Sequence, residues 1–157
     1  MTKYESTVKQ VPYQQTAVFA RLSDLRHLEV IKDRMDDPAF QQAISAQVPA
    51  DKVEKLRETV QNMEFTADSV TVTNTPIGAV TLAIVERDEP KCIKFELQNA
   101  PIQGNLWVQI LPTSDYASKM KCTIGVEANF FIRKMIEKHL KEGVEKLADM
   151  LAQIPYY

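Results

Sequence analysis

Residues 130–154 read Phe130-Phe131-Ile132-Arg133-Lys134-Met135-Ile136-Glu137-Lys138-His139-Leu140-Lys141-Glu142-Gly143-Val144-Glu145-Lys146-Leu147-Ala148-Asp149-Met150-Leu151-Ala152-Gln153-Ile154. No proline interrupts them, and Ile132, Ile136, Leu140, Val144, Leu147, Leu151 and Ile154 recur at three- and four-residue steps. That period predicts one amphipathic helix. Arg133, Lys134, Lys138, Lys141, Glu142, Glu145 and Asp149 fall mostly off the apolar stripe, and Asn129 stands where an N-cap is needed. At 1.5 Å per residue the helix is roughly 35 Å long, enough to cross a whole sheet. Such a stripe needs a partner surface.

The partner is written immediately upstream, where the period falls to two. Lys119 to Ala128 sets Met120, Cys122, Ile124 and Val126 against Lys121, Thr123 and Glu127. Lys91 to Gln98 sets Ile93, Phe95 and Leu97 against Cys92, Lys94, Glu96 and Gln98. Val70 and Val72 share one face of a strand at 69–74, and Val80, Leu82 and Ile84 share one face of a strand at 79–87. Asn105 to Leu111 is apolar on both parities, which predicts a covered central strand. Turns at Thr75-Pro76-Ile77-Gly78, Asp88-Glu89-Pro90, 101–104 and 112–118 separate these strands by short, regular intervals. Antiparallel hairpins are the natural connection. One face of the sheet meets water and the other meets the helix.

Working back to the start, Lys3 to Val11 alternates loosely and predicts a first strand that Pro12 ends. Ala17, Val18, Arg21 and Leu22 fit a short helix, and Ser23-Asp24 breaks it and caps a second one holding Leu25, Leu28 and Ile31. Asp36-Asp37-Pro38 is a helix start. Phe40, Ala43, Ile44 and Val48, then Val53, Leu56, Val60 and Met63 beyond Pro49, predict a helical hairpin or kinked helix over 38–62. Its thin apolar stripe places it on the surface of the core. No internal repeat, low-complexity run or linker divides the chain, so 1–157 reads as one α+β domain.

Bulk properties narrow the classes. The 157 residues are 45% apolar and 25% charged, a globular balance, with a formal charge of −2. That charge argues against a nucleic-acid partner, which would need clustered Lys and Arg. No apolar run is long enough to span a bilayer. Met1 to Ser6 has no signal-peptide core, and Cys92 and Cys122 form no CxxC pair, so free thiols and a cytoplasmic location are expected.

The order of strand, two short helices, antiparallel sheet and long final helix resembles the START-like superfamily, also called SRPBCC, which includes polyketide cyclases, lipid-transfer domains and plant ligand-binding allergens. Three stretches carry the resemblance. Thr16-Ala17-Val18-Phe19-Ala20-Arg21-Leu22-Ser23-Asp24-Leu25 looks like the family's first helix and its turn. Asn105-Leu106-Trp107-Val108-Gln109-Ile110-Leu111-Pro112 looks like its aromatic-bearing strand. His139-Leu140-Lys141-Glu142-Gly143-Val144-Glu145-Lys146-Leu147 looks like its last helix with a mid-helix glycine. The end, from Ala148 to Tyr156, is similar to a branch found in Bacteroides-type bacteria. The segment 38–62 is longer than that branch carries, and the glycine-rich loop of the plant allergens is missing.

The resemblance implies a helix-grip fold, a curved antiparallel sheet wrapped on the C-terminal helix, with a cavity between them. Val72, Val80, Leu82, Phe95, Leu97, Val108, Ile110, Cys122 and Ile124 would line it from the sheet. Met135, Ile136, Leu140 and Gly143 would face them from the helix. The same residues at the same periods also suit a filled core. Gly143 inside a helix costs about 1 kcal/mol against alanine, and either close packing or room for a ligand explains it. His139 sits beside the stripe, where it can serve as a proton donor at a cavity edge or as a solvated histidine. Glu86 continues the apolar parity of Val80, Leu82 and Ile84, yet its charged neighbours point to an exposed turn.

His27 and His139 lack companions at metal-ligand spacing, and no Ser–His–Asp order, nucleophile elbow, phosphate loop or HExxH occurs. No catalytic residue, metal or cofactor is therefore assigned. Three functions stay open: binding of an apolar small molecule or lipid, with 38–62 as a lid; an interaction protein with a filled core; and a cyclase- or hydrolase-like enzyme, which would need polar groups converging in the cavity.

Overall fold

The computed structural model describes residues 2–34, 37–39, 42, 50–75, 78–100, 102–152, 154 and 156. Eight strands form one antiparallel sheet: β1 (Thr2–Glu5), β2 (Lys9–Val11), β3 (Glu64–Phe65), β4 (Ser69–Thr75), β5 (Gly78–Asp88), β6 (Cys92–Gln98), β7 (Gln103–Pro112) and β8 (Ser118–Glu127). Their order across the sheet is β1-β8-β7-β6-β5-β4-β3, and β2 also pairs with β8. Consecutive strands from β3 to β8 are therefore neighbours, as the short turns demand. The sheet is curved, and its concave face carries the apolar parity of each strand. Ile93, Val108 and Cys122 lie in one cross-strand row, and Phe95, Leu106, Ile124 and Tyr4 in the next.

The predicted first strand is broken in two. At the break the Ser6 backbone N–H donates to the Cys122 carbonyl (2.8 Å), and the Cys122 N–H donates to the Ser6 hydroxyl (3.0 Å). Ser6 thus ties β1 to β2 through β8 without regular pairing. Strand β5 carries a second irregularity, a bulge between Ile84 and Glu86. Beyond it Glu86 pairs with Lys94 and Arg87 pairs with Ile93, so the parity of the strand is reversed. Glu86 is exposed, which removes the inward position its spacing allowed. The Arg87 guanidinium instead holds the Ser23 carbonyl (2.8 Å) and the Asp68 carboxylate (2.6 Å) at the sheet end.

Strand β7 corrects a further expectation. Its outward parity, Asn105, Trp107, Gln109 and Leu111, meets no second layer among the described residues. Trp107 is half-buried because the ammonium groups of Lys3 and Lys94 lie 5.1 and 5.7 Å from its ring centroid. Lysine stems supply what cover this face of the predicted covered strand has.

Helices α1 (Gln15–Leu22) and α2 (Val30–Arg34), joined by a 3-10 turn at Leu25–Glu29, follow β2. Asp24 caps the turn as its position predicts, accepting from the Arg26 N–H. Helix α3 (Ala50–Gln61) is the second half of the segment 38–62 and inserts Val60 into the core. The Asp37 carboxylate accepts from the Ala39 N–H, as a helix start there requires. Phe40, Ala43, Ile44 and Val48 lie outside the described residues.

Helix α4 (Phe130–Ala152) is capped by Asn129, whose side-chain oxygen accepts from the Ile132 N–H (2.9 Å). It crosses the concave face and packs chiefly on β8, β1 and β2. Val144, Ala148 and Leu151 form its most buried stripe. Beyond it Ile154 and Tyr156 turn back into the core, where the Tyr156 hydroxyl donates to the Leu151 carbonyl (2.6 Å). Lys9 on β2 reaches two carboxylates one turn apart on α4, Glu145 and Asp149, the latter at 2.8 Å. Glu145 also accepts from the Thr7 N–H and hydroxyl.

Both cysteines are free. Cys122 is buried on the concave face, and burial pushes its thiol pKa up to about 12. Cys92, opposite Gln109, is on the other parity. Tyr4 holds the one buried side-chain polar atom among the described residues that lacks a hydrogen-bond partner. Removing a hydroxyl that was desolvated without compensation relieves a cost, so Tyr4→Phe should leave the protein as stable as before or about 1 kcal/mol more stable in urea unfolding.

Candidate functional site

Because α4 leans toward β1, β2 and β8, it stands away from the far half of the concave face. An apolar recess of about 250 Å³ lies in the gap. Its sheet side is Val80 and Leu82 of β5, Leu97 of β6, Gly104, Asn105 and Leu106 of β7, and Ile124 and Val126 of β8, with Ile102 from the preceding turn. Its helix side is Ile136, His139, Leu140 and Leu147. These helix positions share one face at 3.6 residues per turn, about 100° each, and Gly143 falls in the middle of them.

Two glycines shape the space in opposite ways. A Cβ on Gly104 would stand 3.3 Å from the Gly125 carbonyl oxygen and 3.3 Å from Leu97 Cδ2, so the chains close up there. A Cβ on Gly143 would meet no atom within 4 Å. Its backbone is helical, so neither strain nor close packing demands glycine at 143.

Six of the thirteen cavity positions named from the sequence line this recess: Val80, Leu82, Leu97, Ile124, Ile136 and Leu140. Phe95, Val108 and Ile110 belong to the same concave face but are packed into the core, on the strands that α1 touches, and Cys122 is packed into the core on β8, which α4 covers. Val72 is half-buried on β4, near the sheet edge and off the recess. Gly143 lies on the same helix face as the lining residues but, having no side chain, is not itself part of the wall. Met135 is exposed, because one residue before Ile136 is a turn of about 100° away from the inward face. Ile102, Gly104, Leu106, Val126 and Leu147 are lining positions beyond those thirteen. The parity of β7 and β8 and the helix stripe carried the signal for all of these except Ile102, which lies in a turn.

Polar groups are few. The Asn105 side chain is spent on the Phe95 carbonyl (3.1 Å). His139 is the titratable residue of the lining, exposed toward solvent. Among the described residues no group of three or more His, Cys, Asp or Glu is arranged to hold a metal ion. No described helix is long and apolar enough to cross a membrane.

No family model matches the sequence, and no curated protein matches it. Solved structures do match the fold. Norcoclaurine synthase from Thalictrum flavum superposes with a TM-score of 0.62 at 10% identity, over 97% of this chain and 84% of that one. The protein XoxI from Bacillus cereus gives 0.55 at 13% identity, over 98% and 94%. A START superfamily protein from Mycobacterium smegmatis gives 0.50 at 11% identity, over 98% and 99%. At such identities the likeness is one of fold. With nearly all of this chain superposed on them, its eight-stranded curved antiparallel sheet gripping a long C-terminal helix is the START-like, helix-grip fold.

Proposed function

We propose that the chain binds one small apolar molecule, a lipid fragment or an aromatic compound, in the recess between α4 and β5–β8. The observation that carries this reading is Gly143. A glycine inside a helix costs about 1 kcal/mol relative to alanine. At 143 neither a positive φ nor a near neighbour requires it, and it sits at the centre of the helix face that lines the recess. Its lack of a side chain keeps the space open. The almost wholly apolar lining fits a ligand held by burial of its surface, with any polar end beside His139 at the solvent side. An acid–base reaction needs several converging polar groups, and the lining offers His139. Binding is therefore favoured over catalysis. One of the structures with this fold, norcoclaurine synthase, is described in complex with dopamine and hydroxybenzaldehyde, both aromatic.

Thermal unfolding with medium-chain fatty acids and small aromatic compounds tests the proposal. A ligand that binds only the folded chain should stabilise it by about 2.7 kcal/mol at a hundredfold excess over Kd. Gly143→Leu should be as stable as the parent without ligand, and should lose the ligand-induced shift. A panel without any shift, together with a Gly143→Leu protein destabilised by the roughly 1–3 kcal/mol of overpacking, would overturn the proposal and favour a filled core.

A further inference from the structure

We infer that the first three turns of α4 are a docking surface for an anionic lipid bilayer. Three large apolar side chains are turned to solvent there: Phe131 is 82% exposed, Phe130 57% and Met135 54%. Single exposed apolar residues are ordinary, but two adjacent phenylalanines and a methionine one turn on form a patch. The two rings meet edge to face, 5.9 Å apart, and make one apolar knob. The Lys134 ammonium lies 5.6 Å from the Phe130 ring centroid.

The charge around the knob is one-sided. Residues 130–141 hold Lys134, Lys138 and Lys141 on the exposed side against a single acid, Glu137, in a chain whose formal charge is −2; Arg133 lies on the opposite face and reaches Thr2 of β1. Glu137 is half-buried and lies 3.4 Å from Lys141. At about 100° per residue Phe131, Met135, Lys134 and Lys138 share the outward face. Aromatic rings at headgroup depth, with lysine stems running along them and ammonium groups at the phosphates, are the chemistry of a helix lying on a membrane interface. A groove on a protein partner, or a second copy of this chain, would bury the phenylalanines without needing the lysines. The basic collar therefore selects an anionic bilayer. The inference stands apart from the ligand reading, since it needs no occupied recess.

Co-sedimentation of the full chain with vesicles tests it. Vesicles of phosphatidylcholine mixed with phosphatidylglycerol should bind the protein at least about tenfold more tightly than phosphatidylcholine alone, and high salt should release it. Phe131→Ser with Met135→Ser should abolish binding while leaving the melting temperature unchanged, because both side chains are exposed. Lys134→Glu with Lys138→Glu should weaken binding about tenfold or more by a different route. No sedimentation with the mixed vesicles, or binding that survives both double substitutions, would overturn the inference. So would self-association in analytical ultracentrifugation that Phe131→Ser removes, in a protein that ignores vesicles; the patch would then belong to a second copy.

Discussion

Lys9→Met is expected to lower the unfolding free energy at pH 7 by about 1–2 kcal/mol in urea denaturation, less than a fully buried pair would lose because Glu145 is partly open to water. Lys9 lies between β2 and α4 with its side chain largely covered, facing Glu145 and Asp149. Methionine keeps the apolar stem but leaves two carboxylates one turn apart with no cation between them. Breaking a partly buried ion cluster from one side costs more than the cluster is worth as a whole, although the open side of Glu145 lets water offset part of the loss. Burial alone would pull the Lys9 pKa down, but hydrogen bonds to Asp149 and Glu145 outweigh it and hold the value above the ordinary 10.5. Burial likewise pushes Glu145 up, and the Lys9 and Thr7 hydrogen bonds outweigh it and hold its carboxyl below 4.5. The signs set the window. The Lys9 contribution is complete below pH 10.5 and is lost as pH rises through its raised value. The Glu145 contribution is complete above pH 4.5 and is lost as pH falls through its lowered value. Between those limits the parent should therefore keep the full benefit of the cluster. Below pH 4.5 the difference between parent and Lys9→Met should shrink; a difference that stays constant down to pH 3 would show that the cluster does not link β2 to α4.

Val144→Asp should have the largest effect of any single change proposed for this chain, more than about 3 kcal/mol and enough to prevent folding at ordinary temperature. Val144 is almost fully buried in the stripe that α4 presses on the sheet, and an aspartate there would be a desolvated carboxylate. Lys141→Asp, three residues away and facing water, should cost less than about 1 kcal/mol, mostly through its ion pair with Glu137. Leu140→Asp should fall between the two, since Leu140 is half-buried and looks onto the recess, where water can reach a charge. Circular dichroism melts of the three proteins rank them directly. Equal effects at 141 and 144 would mean that a different face of α4 meets the sheet.

These contrasts mark what the sequence makes legible. Period two over 91–98 and 119–127, and period 3.6 over 130–152, survive into the fold because burial dictates residue type on each face, and that pattern is local; the helix predicted to run to 154 ends at Ala152. The Asn129 and Asp24 caps are legible for the same reason. The division of the concave face is not. Phe95 and Leu97 stand two residues apart on one face of β6, yet one fills the core and the other lines the recess. The difference lies in where α1 and α4 settle, which is a matter of packing between distant segments. Met135 is a different case: it is apolar and adjacent to the stripe, but its angle already placed it outside. The polar break at Ser6 and the bulge in β5 change strand geometry without changing composition, and so leave no trace in an alternation pattern.

The bulge in β5 also fixes what kinds of change this chain tolerates over evolutionary time. Val85 is exposed, so its identity is nearly free. Its presence as an extra residue is hardly more constrained by register, because Ile84 faces Phe95 and Glu86 already faces the next residue, Lys94. Losing that one codon would make the strand regular and leave Glu86 outward and Arg87 opposite Ile93; what it would remove is the local twist at the sheet end where Arg87 reaches Ser23 and Asp68. A lineage can therefore carry a gap at this position without turning over the far end of β5, whereas a one-residue gap between Thr81 and Ile84 would turn over the apolar face of the strand.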